Sequence, residues 1–360
     1  MNWLKPSNLD HFVSSTSIPL PTDQKEERAP RWATYVAALI GVLAIVVMII
    51  LNREPSEEPA PPAAKPEDLS RYLPFDGEKA YQHLVDVCKF GPRVSGSQAM
   101  KLQQDYIRKY LTDAGAQVQF QSWDIRHPET GQPVTLSNIF GRFHPERTER
   151  ILLACHYDTR PYADEDPDNP RAPFVGANDG ASGVGLLLEL ARHINAVDTK
   201  YGVDVVFLDA EEFIFDRERD PFFVGSTYLA EKYRSADINF RYKWGILVDM
   251  VGDKDLQIYQ ERNSISWRDT RPLVLDVWRV AKKLNIPEFV SRPRHTVNDD
   301  HVPLHDIGGI PIIDIIDFDY PSPGYGPKYW HTTKDVPENC SADSLAKVGK
   351  VILTWLQELE

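Results

Sequence analysis

Four short apolar runs constrain this chain most: 151–155 (ILLAC), 203–209 (VDVVFLD), 244–249 (WGILVD) and 310–316 (IPIIDII). Each is too short and too uniformly apolar for a surface helix and reads as a strand buried on both faces. Helical stretches separate or follow them at 181–194, 226–232, 271–284 and 341–359. Buried strands alternating with helices imply a mainly parallel sheet covered on both sides. Earlier in the chain, Asp76 is placed to cap a helix running to Cys88, and Ser97 a second one ending before Gly115. The run 118–125 alternates apolar and polar, the pattern of a half-buried strand. The expected fold is therefore α/β: a three-layer α/β/α sandwich around a central mixed, mostly parallel sheet.

The buried runs end in chemistry. ILLAC leads into His156, VVFLDA into Glu211 and Glu212, and GILV into Asp249. Asp179 in GANDGASG opens a helix, and His331 in WHTTKD follows the last strand after a loop. Ligands of open α/β sheets gather outside the carboxyl ends of the strands, so these residues are expected to converge. Adjacent glutamates at a buried strand end repel unless a cation sits between them. Two imidazoles and three carboxylates suit zinc with an open position for water, and two zinc ions could share a bridging carboxylate. One glutamate of the pair then binds metal while the other moves protons. Asp158, two residues past His156, is a candidate orienting carboxylate behind the ligands. The acids of YDTRPYADEDPD otherwise read as a solvated loop.

Charge and cysteine usage exclude other classes. The 360 residues carry a formal net charge of −13 with no basic run, which argues against nucleic acid as a partner. Three cysteines, Cys88, Cys155 and Cys340, make no disulfide framework and no zinc-finger spacing.

The N-terminal part reads differently. Residues 33–51 are free of charge and long enough for a transmembrane helix. Lys25, Arg28 and Arg31 precede the run, with Trp32 and Tyr35 suited to an interface; Arg53, Glu54, Glu57 and Glu58 follow it. The expectation is a single-pass membrane protein with a cytoplasmic disordered tail (1–32), a signal-anchor span (33–51), a Pro-rich linker (52–68) and a catalytic domain (69–360) outside.

The order and spacing of GPRVSGS, ACHYDTRPYAD, VGANDGASGVGLLLELAR, FLDAEEF, LVDMVG, NDDHVPL and YWHTTKD resemble one family over 81–359. It is that of the zinc aminopeptidases of bacterial leucyl type and their relatives, the glutaminyl-peptide cyclotransferases. The resemblance implies the same mixed-sheet sandwich, like that of zinc peptidases and phosphorylase/hydrolase-like proteins. It implies Asp179, Glu212 and His331 as ligands of one zinc in a cyclase, with His156 and Asp249 completing a second metal site in an aminopeptidase. It implies Glu211 as general acid/base, joined by Asp299 and Asp249 in a carboxylate network, and a substrate pocket formed by Trp330 with Asp300 and His301. The NDDH element, Trp330, RPYADEDPD and GIPIIDII resemble bacterial glutaminyl cyclase-like members most. Two positions depart from the animal cyclases: Arg217 stands where they carry a second pocket tryptophan, and Val184 where they carry the disulfide partner of the Cys155 position.

The implied activity is conversion of an N-terminal glutamine of a peptide or protein to pyroglutamate with release of ammonia. The alternative is hydrolysis of the first peptide bond, with Glu211 as base toward a water. A binding ectodomain without catalysis is the third reading; the intact ligand set and Glu211 speak against it.

Overall fold

The computed structural model describes residues 30–51, 69–235, 238–321 and 328–359. Contacts divide the chain into two units, Met1–Glu67 and Asp68–Glu360.

In the first unit Arg31–Leu51 form helix α1, with Leu39, Ile40, Val42, Leu43, Ile45 and Met48 exposed. Among the described residues no helix is long and apolar enough to cross a membrane. The charge-free run does form a helix, but the expected transmembrane anchor does not stand. The membrane partner, the cytoplasmic N-terminus and the externally placed catalytic domain inferred from it fall with it. The expected tail before residue 30 and the linker at 52–68 lie outside the described residues.

In the second unit the elements follow in the order α2 (Gly77–Cys88), α3 (Gln98–Asp113), β1 (Gln117–Arg126), β2 (Pro133–Phe143), β3 (Glu149–His156), α4 (Ala181–Ile194), β4 (Gly202–Leu208) and α5 (Val224–Ser235). Next come β5 (Arg241–Asp249), β6 (Ile258–Glu261), α6 (Arg262–Ser266), α7 (Arg271–Lys283), β7 (Phe289–Arg294), α8 (His301–Asp306), β8 (Ile312–Ile316) and α9 (Ala342–Glu358). Both expected caps are present: Asp76 accepts from the Lys79 amide and Ser97 from the Met100 amide. The main sheet runs β1-β2-β4-β3-β5-β8. The first two pairings are antiparallel and the rest parallel, so the sheet is mixed, as its alternating first strand and its uniformly apolar later strands require.

One apolar cluster fills the layer that includes α2, α4 and α9, from Leu84 through Leu187 to Trp355, and a second lies where α5 and α8 meet the sheet. Helix α4 sits close on the strands because its inner face is small. A Cβ on Gly183 would stand 2.7 Å from the Cβ of Cys155 on β3 and 3.0 Å from the Val248 carbonyl on β5. That approach brings the start of α4 over the carboxyl ends of β3 and β5.

Candidate metal centre

The parallel strands β3, β4 and β5 point their carboxyl ends at one crevice. His156 is the last residue of β3 and Asp249 the last of β5. Beyond β4 the chain turns at Ala210, whose φ is +59°. This left-handed step breaks the two-residue alternation of the strand, so Glu211 and Glu212 both line the same cavity. Met250 (φ +49°) and His331 (φ +54°) adopt the same unusual backbone. Three left-handed non-glycine residues at the ends of site segments are strain held where side chains must be aimed. Asp179 is aimed by Gly180 (φ +90°), where a Cβ would lie 2.9 Å from the Asp158 carbonyl and 3.1 Å from Cε1 of His156.

Asp179, Glu212 and His331 are all buried and each offers a donor atom within 4.8 Å of the others. Asp179 Oδ2 and Glu212 Oε2 are buried with no hydrogen-bond partner. Two orphaned carboxylate oxygens beside an imidazole are costly unless a cation completes them. One imidazole and two carboxylates are the donor set of a zinc site that keeps its fourth position open. Zinc therefore fits here. His156, Asp179 and Asp249 form a second group within the same limit. There His156 Nε2 lies 3.1 Å from Asp249 Oδ1 and 3.2 Å from Asp179 Oδ1, and Asp179 is common to both groups.

Three carboxylates position the centre from behind. Asp158, fully buried, accepts the Glu211 amide at 3.2 Å and the Glu212 amide at 2.9 Å. Asp335 accepts the amides of Asn178 and Asp179 at 2.7 and 3.1 Å, and the Tyr320 hydroxyl. Asp164 Oδ1 lies 3.2 Å from Nδ1 of His331. A carboxylate behind a ligating imidazole fixes which nitrogen faces the metal. Arg160, buried, joins the two halves: Nη1 donates to Glu212 at 3.2 Å and Nε to Asp164 at 3.3 Å.

Of these, sequence reasoning reached only Asp158. The loop read as solvated is instead a clamp. Asp166 accepts the Thr333 amide and hydroxyl on one oxygen and the Asp168 and Asn169 amides on the other. Only Asp168 and Glu165 of its acids are exposed. The four-residue steps from Arg160 to Asp164 and from His331 to Asp335 were the available signals.

Electrostatics separate the two glutamates. Burial, then the neighbouring Glu212 charge, push Glu211 well above the ordinary carboxylate range, with Asp299 adding to the effect. Burial acts on Glu212 too, but Arg160 and His331 outweigh it and hold Glu212 well below that range. Burial raises Asp249 to about 7 against the pull of His156, and raises Asp299.

The crevice has a volume of about 280 Å³ and is lined by Asp179, Glu211, Glu212, Asp249, Asp299 and Trp330, among others. Trp330 stacks on His331 with ring centroids 3.6 Å apart. Asp300 and His301 do not line it, contrary to expectation. Asp300 is buried and accepts from Ser226 Oγ at 2.5 Å. His301 is buried beneath Asp299, with Nε2 3.4 Å from Glu261 Oε2 and Nδ1 3.9 Å from Asp314 Oδ2.

Residues 138–356 match peptidase family M28. The chain belongs to this family. Among solved structures of similar proteins, the Fimbriiglobus ruber glutaminyl cyclase is 34% identical, with a TM-score of 0.75 over 82% of this chain and 99% of that one. A leucine aminopeptidase precursor from Bacteroides thetaiotaomicron is 32% identical, with a TM-score of 0.73 over 80% of this chain and 99% of that one. The glutaminyl-peptide cyclotransferase-like protein of Bos taurus is 25% identical over 281 residues, 70% of this chain and 69% of that protein. This M28 chain thus resembles cyclases and aminopeptidases built on one fold.

Proposed function

We propose that this M28 protein is a zinc-dependent glutaminyl cyclase-like enzyme, acting on the N-termini of peptides and proteins. The observation that carries the reading is the buried Asp179–Glu212–His331 group, in which Asp179 Oδ2 and Glu212 Oε2 have no hydrogen-bond partner, at the floor of a crevice that Glu211 also lines. The likeness to a solved glutaminyl cyclase over nearly its whole length supports it.

Zinc held by Asp179, Glu212 and His331 would supply Lewis-acid polarisation of the substrate's γ-carboxamide. Glu211 takes a proton from the substrate α-amine. The amine nitrogen then bonds to the side-chain carbonyl carbon, the bond from that carbon to the amide nitrogen breaks, and the proton held by Glu211 leaves with ammonia. Such acid–base transfer typically contributes about 10²–10⁴-fold. Its raised proton affinity suits Glu211 to hold the proton between the two transfers. Asp299 adds to the proton affinity of Glu211, and Trp330 offers a flat wall to the substrate side chain.

The aminopeptidase reading draws on the second donor group, His156, Asp179 and Asp249, which would take another metal. Mass analysis of the products of a Gln-initiated dipeptide separates the two. The cyclase reading expects an intact peptide lacking one ammonia; two free amino acids would overturn it.

A further inference from the structure

The crevice is polarised. Its floor is lined by Asp179, Glu211, Glu212, Asp249 and Asp299, and Arg217 stands at its lip near Trp330. The other guanidinium of the lining, Arg160, is 2% exposed and already engaged with Glu212 and Asp164. Arg217 is 41% exposed. Its Nε donates to Asp164 Oδ2 at 2.9 Å and its Nη1 pairs with Glu165 Oε1 at 2.5 Å. Its Nη2 lies 3.3 Å from Nδ1 of His331. Nη2 carries two hydrogens, so this edge of Arg217 keeps donor capacity beside the cavity in addition to its contact with His331.

Arg217 lines the same cavity as the acidic floor at which a substrate's N-terminal amine would be received. We propose that Arg217 selects substrates bearing a carboxylate on the second residue, either the free C-terminus of a dipeptide or an acidic side chain. A guanidinium edge matches a carboxylate in shape as well as charge. The proposal rests on the reading of the crevice as a site for peptide N-termini.

The test uses the full chain loaded with zinc and compares kcat/KM for Gln-Gly, Gln-Gly-amide and Gln-Glu-amide. The wild type favours each carboxylate-bearing peptide over Gln-Gly-amide by about tenfold, the scale of a hydrogen bond to a charged group at a half-exposed site. The two arms show which carboxylate source is used. In Arg217→Gln the ratio falls to about one, and in Arg217→Lys it lies between. Should Arg217→Gln fail to fold, the wild type alone still decides: its preference shrinks as salt is added. No preference in the wild type, a preference insensitive to salt, or one that survives Arg217→Gln overturns the proposal. If no Gln peptide releases ammonia but Leu-Gly is cleaved, the cyclase reading fails separately. The Arg217 ratio is then measured on Leu-Gly against Leu-Gly-amide.

Discussion

Asp164 Oδ1 lies 3.2 Å from Nδ1 of His331, and both oxygens of the same carboxylate are gripped by arginines, Arg160 on one and Arg217 on the other. The His331 ring is thereby fixed with Nε2 toward Glu212. Replacing Asp164 by Asn loosens this hold and removes a charge. Zinc affinity should fall about 10–100-fold, read by equilibrium competition with a chelator. Unchanged affinity would show that Asp164 does not position the ring.

Metal content separates the two readings. With zinc held by Asp179, Glu212 and His331 alone, atomic spectroscopy of the full chain should find one zinc per molecule. Glu212→Gln should abolish that uptake, while His156→Asn should retain it. Two zinc ions bound tightly to the wild type would favour the aminopeptidase arrangement.

On the proposed reading Glu211 moves protons and does not hold the metal. Glu211→Gln should keep zinc and fold while lowering turnover by about 10²–10⁴-fold. Paired measurements of zinc content and kcat check this. Loss of zinc in the variant would move Glu211 into the ligand set.

Asp317 gives a pH dependence away from the metal. It is buried, accepts the Gln257 and Asp319 amides, and burial raises it to about 8, with Asp253 adding to the shift. The folded form thus binds a proton more tightly than the unfolded chain, whose value lies near 3.8. Such a group stabilises fully below the unfolded value and loses its contribution as pH rises toward about 8. Between about pH 5 and about pH 8 the loss is on the order of 2–4 kcal/mol. Asp317→Asn should flatten that fall in denaturant unfolding of chelated protein. Parallel curves for variant and wild type would refute the assignment.

The strands that carry His156 and Asp249 were legible because each is an apolar run that stops at a polar ligand. Helices with caps such as Asp76 and Ser97 were legible for similar reasons. Strand β2 was not, because Ser137 and Asn138 look like turn residues; both are buried through bonds with Asp209, Gln121 and Gly225. The short elements β6, α6, β7 and α8 carry too few residues to show a period. Arg160 and Asp164 were hidden because a Pro-rich acidic loop resembles a solvated one until its partners on the 328–335 turn are known. The run 33–51 shows the opposite error, since freedom from charge foretold a helix correctly and a membrane span wrongly.

The central claim is tested most directly by supplying zinc-loaded full-length protein with a Gln-initiated dipeptide and, separately, a Leu-anilide. Cyclisation predicts ammonia from the first, lost on chelation and restored by zinc, with no cleavage of the second. Anilide hydrolysis without ammonia release would contradict it.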